Sequence, residues 1–129
     1  MKKTGFLKLT ILCGMVFLSG CFFPRYTTIC EIEPSYTKSA SMSLKEASRI
    51  ISDTIENVPA GRRPNRPGDK VIGKYVTSVR LRTHNRTGLV LVEVYEGTRI
   101  MMEFYVRTRD DGERFADAVW RLRQEYQSK

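Results

Sequence analysis

Histidine is almost absent from this chain: His84, in the segment THNRT, is the only one. Zinc sites need clustered Cys and His, and no such cluster can be built from one histidine and a few thiols. A thiol–imidazole pair reduces to Cys30 with His84, and no motif flanks either residue. The chain also lacks a Gly-x-Ser-x-Gly elbow, a Ser-x-x-Lys motif and a glycine-rich phosphate loop. Asp110-Asp111-Gly112-Glu113 lacks EF-hand spacing and suits the positive start of a helix better. There is no internal repeat. No catalytic residue, metal or cofactor is expected. Long apolar runs are scarce too. One stands out, Leu9 to Leu18 (LTILCGMVFL), and it is too short for a comfortable membrane span.

That run has context. Lys2, Lys3 and Lys8 supply a basic segment around its start, and Leu18-Ser19-Gly20-Cys21 closes it. A basic stretch, an apolar stretch and small residues in this order form a secretory signal. The closing four residues resemble the lipobox of bacterial lipoproteins. The resemblance covers residues 1–21 and implies a diacylglyceryl thioether on Cys21, cleavage before it, and acylation of the new N-terminus. Phe22 is not the aspartate associated with inner-membrane retention in the enteric pattern. In a Gram-negative cell the resemblance therefore implies the periplasmic face of the outer membrane. It names no family for residues 22–129.

This reading divides the chain into a signal peptide (1–20), a lipidated N-terminus and tether (21–42), and one small domain (43–129). Lys2, Lys3 and Lys8 leave with the signal, so the formal charge falls from +8 to +5. Arginine dominates the remaining basic residues. Export turns that charge away from nucleic acid and toward lipid headgroups, lipopolysaccharide phosphates, acidic glycan or an acidic protein. Cys13 also leaves and Cys21 carries lipid, so Cys30 is single and no intramolecular disulfide can form. Cys30 is expected to be buried.

Along the mature chain, Tyr26 to Glu33 alternates weakly and suits a short edge strand with Cys30 facing inward. Ser35 to Ser43 reads as a Ser/Thr-rich linker. Ser43 to Val58 predicts a helix. Ser43 and Glu46 make a capping-box pattern, and Leu44, Ala47, Ile51, Ile55 and Val58 form an apolar stripe. Pro59 ends it. Ala60 to Asp69 is a Pro/Arg-rich connection. Three strands are expected next: Val71–Thr83, Leu89–Val94 and Arg99–Thr108. Leu89–Val94 is apolar at nearly every position, which predicts a strand central to the sheet or covered on both faces. A three-residue loop at Tyr95-Glu96-Gly97 would place Glu93 opposite Arg99 and keep Val90 and Val92 beside Met102 and Ile100. Asp110 to Gln127 predicts the second long helix, with Phe115, Ala118, Val119, Leu122 and Tyr126 inward. The expected fold is α+β: a three-stranded antiparallel meander, with a short N-terminal edge strand, covered by two helices.

Two surfaces follow as candidates. Arg62, Arg63, Arg66, Arg80, Arg82, Arg99 and Arg107 are candidate anion ligands, because guanidinium forks match phosphate and carboxylate. Glu93 and Glu103 share the sheet face with some of them and can neutralise it. Leu89, Leu91, Met101 and Tyr105 fall on that same outer face, an arrangement that suits a partner surface. The expected function is a lipid-anchored, non-catalytic binding or assembly module of an envelope protein complex. The alternatives are a binder of anionic lipid, lipopolysaccharide or glycan, and a small envelope enzyme.

Overall fold

The computed structural model describes residues 26–34 and 36–127; the signal, Cys21 and Phe22-Phe23 lie outside them. Four strands, β1 (Tyr26–Glu31), β2 (Ser78–His84), β3 (Val90–Glu96) and β4 (Arg99–Val106), form one antiparallel sheet in chain order. The helices are α1 (Tyr36–Ala40), α2 (Leu44–Glu56), α3 (Asp69–Tyr75) and α4 (Arg109–Gln127). The α+β class and the meander agree with the sequence. Among the described residues the helix layer has four members rather than two. Residues 26–42, expected as a tether, hold β1 and α1, and Ser39 of α1 is fully buried. β1 runs along β2, with Cys30 opposite Leu81 and Glu31 opposite Arg80.

α2 starts where Ser43 accepts the Glu46 amide at 3.0 Å, and it ends at Asn57, whose side-chain amide donates to the Asp53 carbonyl. Ala47, Ile50, Ile51 and Ile55 are its buried residues. α4 is capped by Thr108, which accepts the Asp111 amide at 3.2 Å, so the cap precedes the expected Asp110 and Asp111. It is the hub of the helix layer, packing on α1, α2, α3 and the sheet. Phe115 meets Phe104 edge to face at 4.9 Å between ring centres. Val79, Leu81, Val90, Val92, Val94, Met102, Phe104 and Val106 present the sheet's side of this core.

The strand expected over Val71–Thr83 is a helix in its first half. Val71, Tyr75 and Val79 recur every four residues, a spacing that satisfies both a strand and a helix face. Ile72 and Val76, also four apart, are the buried pair, while Val71 and Tyr75 are exposed. Gly73 decides the packing: a Cβ there would collide with the Leu122 carbonyl and lie 2.7 Å from the Tyr126 ring, so α3 approaches α4 only because position 73 has no side chain.

The β3–β4 hairpin also departs from expectation. Its loop is the two residues Gly97-Thr98, with Glu96 opposite Arg99 and Gly97 at φ +62°. Positive φ at the first loop residue alone is the type II′ pattern, which matches the strand twist. Such a loop would by itself set Val94, Val92 and Val90 beside Met101, Glu103 and Tyr105, the outer face of β4. A bulge resolves the conflict: the register shifts between Val94↔Met102 and Tyr95↔Ile100, so Met101 is the extra residue. One inserted residue inverts parity and returns Val90, Val92 and Val94 to partners Val106, Phe104 and Met102. Ile100, expected in the core, is consequently exposed, and Glu93 faces Glu103 rather than Arg99.

Candidate functional site

The face of the sheet turned away from the helices is closed along β3 by its own side chains. Leu91, Glu93 and Tyr95 on this face are all buried. Glu93 is the centre. Its Oε1 lies 2.8 Å from Arg82 Nε, as an ion pair off the line of a hydrogen bond, and its Oε2 accepts from the Tyr95 hydroxyl at 2.9 Å. Arg80 lies over the Tyr95 ring at 4.8 Å. Burial raises the Tyr95 phenol above its ordinary range. The hydrogen bond to Glu93 and that carboxylate's charge act in the same direction, and Arg82 and Arg80 oppose them. Two of the candidate anion ligands, Arg80 and Arg82, are thus engaged by other side chains of the protein.

The other candidates scatter. Arg66 pairs with Asp69 and donates to Ser48 at 3.3 Å, fastening the α2–α3 connection to α2. Arg62 and Arg63 are exposed in that connection, and Arg99 is exposed at the hairpin. The expected partner face is likewise divided. Leu91 is buried, Met101 packs partly against the core, Leu89 is half-buried, and Tyr105 meets His84 edge-on at 6.2 Å. The α2–α3 connection passes this ring, since a Cβ at Gly61 would sit 3.5 Å from it. His84 itself organises the β2–β3 turn, its Nδ1 accepting from the Arg86 and Thr87 amides. Cys30 is half-buried, and its Sγ accepts from Arg109 at 3.3 Å. Cys30 pairs with Leu81, three residues along β2 from His84, a strand distance of roughly 10 Å that leaves the two groups with separate partners.

Arg107 goes elsewhere. Just past the end of β4, it lines an open cleft of about 220 Å³ between α2 and the start of α4. Arg49, Asp53 and Thr54 come from α2, Asn57 from its C-terminal cap, and Asp111 and Arg114 from α4. Ile50 and Val106 give it an apolar part. Arg49 is held by Asp53 at 3.3 Å. The guanidinium groups of Arg107 and Arg114 form no ion pair or hydrogen bond with another described residue. Three guanidinium groups, from α2, the β4–α4 connection and α4, therefore converge on one cleft, two of them without a side-chain partner among the described residues. The sequence offered no signal for Arg49 and Arg114. Each sits on a polar helix face like any solvated charge, and only packing of α2 on α4 unites them.

Among the described residues no group of three or more His, Cys, Asp or Glu side chains is placed to hold a metal, and no helix is long and apolar enough to cross a membrane. No protein family, curated protein or solved structure matches this chain.

Proposed function

We propose that the protein is a lipid-anchored, non-catalytic binding module of the bacterial cell envelope, working within an envelope protein complex. Position carries the reading. The lipobox cysteine precedes β1 by five residues, so the anchor enters at the end of the sheet where Tyr26 pairs with His84. The exposed apolar residues Tyr75 and Ile100 stand at the other end, where Thr77 donates to the Tyr95 carbonyl and Tyr95 pairs with Ile100. Val71, also exposed, is one turn earlier on α3. An anchored domain of this form turns an apolar end away from the membrane, toward a protein partner.

The anchor is tested by growing cells on tritiated palmitate. Label should follow the wild-type chain and disappear in Cys21→Ala, which should also leave a longer, uncleaved product. Label retained in that variant refutes the anchor. The partner end is tested by photo-crosslinking residues placed at Tyr75 and Ile100 in the membrane-bound protein. Both positions should capture the same envelope protein, and a position at Arg62 should not. Absence of any common product from the first two refutes this surface.

A further inference from the structure

The cleft lies at the anchored end. Thr83 pairs with Val90 and Val90 with Val106, so the start of β1, the β2–β3 turn and the end of β4 share one end of the sheet. Five residue steps from Cys21 to Tyr26 span at most about 18 Å. The headgroup layer is about 5–8 Å deep on each side of a bilayer. An acyl chain on Cys21 thus holds this end of the domain at the headgroups. We propose that the cleft formed by Arg49, Arg107 and Arg114 receives the phosphodiester of a membrane phospholipid, which fixes how the anchored domain stands on the bilayer. The proposal rests on the lipid anchor read from the sequence.

The chemistry of the lining selects the group. Arg107 and Arg114 each offer an uncommitted guanidinium fork, the donor geometry suited to phosphate oxygens. Three arginines against Asp53 and Asp111 leave one net positive charge, matching the single negative charge of a phosphodiester. A phosphomonoester, with about −1.5 to −2 at neutral pH, would carry excess charge toward both carboxylates. Ile50 and Val106 suit the glycerol carbons beside the phosphate. At about 220 Å³ the cleft is smaller than the roughly 300–1,000 Å³ that encloses a whole small molecule, so it takes one group of a larger one.

The test uses the mature lipidated chain in nanodiscs of a phosphate-free diacylglycerol galactolipid containing increasing fractions of phosphatidylglycerol, followed by NMR of the arginine Nε–H resonances. Arg107 and Arg114 should shift saturably with phosphatidylglycerol, while Arg99, exposed at the opposite end, should not. Arg107→Gln should weaken the response at Arg114 by about tenfold, the worth of one charge-assisted hydrogen bond. Asp111→Asn should strengthen it. Equal shifts at Arg99 would mean diffuse attraction and overturn the site, as would no dependence on phosphatidylglycerol. If Cys21 proves unacylated, the anchor reading fails separately. Soluble glycerophosphoglycerol titrated into the full chain then decides the cleft: shifts at Arg107 and Arg114 retain it, and their absence removes it.

Discussion

Replacing Arg82 by methionine should destabilise the protein far more than replacing both Arg82 and Glu93 by apolar residues. The Glu93 side chain is 5% exposed and that of Arg82 is 29% exposed, 2.8 Å apart at the nearest atoms. Without Arg82 the carboxylate keeps one hydrogen bond, from Tyr95, inside a face that admits little water. Breaking a fully buried pair this way costs about 3–5 kcal/mol. The partial exposure of Arg82 moves the expected loss to the lower end, about 3 kcal/mol. For a domain of this size that lowers the melting temperature on the order of 10–20 °C. Arg82→Met/Glu93→Leu removes both charges and should cost about 1 kcal/mol or less, because the desolvated carboxylate is gone. Glu93→Leu alone should resemble the double variant, since the freed guanidinium can turn to water. Urea unfolding followed by far-ultraviolet circular dichroism measures all three. An Arg82→Met loss below about 1 kcal/mol, or a double variant losing the sum of both singles, would refute the reasoning.

Further outcomes are expected from the same geometry. Tyr95 has a raised folded-state pKa, so its contribution to stability is complete below the ordinary phenol value of 10.0 and is lost as pH rises through the folded value; urea unfolding of Tyr95→Phe should lose stability less steeply above pH 10.0 than that of the wild type. Burial raises the Asp117 carboxyl, with Glu113 adding to the shift and Lys38 opposing it. That contribution is present below 3.8 and lost as pH rises through the folded value, so Asp117→Asn should melt higher than wild type at pH 7, with the gap closing below 3.8. Gly73→Ala should cost about 3 kcal/mol, because its Cβ meets the Leu122 backbone, which cannot yield without moving α4. Gly112→Ala meets the Leu81 methyl ends at 2.9 and 3.2 Å, which a rotamer change relieves. Helix propensity gains up to about 1 kcal/mol there, so its net effect should be under about 1 kcal/mol in thermal unfolding.

The legible parts of the fold were those where a local pattern has one solution. Ser43 with Glu46, the stripe from Leu44 to Ile55, and Pro59 after it mark α2 within two residues of its observed ends. The apolar run Leu89–Val94 marks the central strand, and burial on both faces of β3 agrees. The pattern failed where two periods coincide. Val71, Tyr75 and Val79 fit either a strand or a helix, and the decision belonged to Gly73 against Leu122, a contact made by packing α3 on α4. The hairpin failed for a related reason. Parity argued correctly that the valines face the core, and a bulge at Met101 satisfied that demand with a different loop.

The expectation of export and anchoring rests on a linear pattern of charge, apolar length and small residues, so it comes from the sequence alone. The amphipathic stripes and the central strand are similarly local, because burial of one face imposes a period on the chain. Which arginines act together is not local. Arg80 and Arg82 are held on the outer sheet face because the register sets them diagonal to Tyr95 and Glu93, while Arg107 joins Arg49 and Arg114 because α2 and α4 pack across the end of β4. Charge on a solvated face leaves no period behind, and only the tertiary structure separates the arginines spent on the fold from those left facing the cleft.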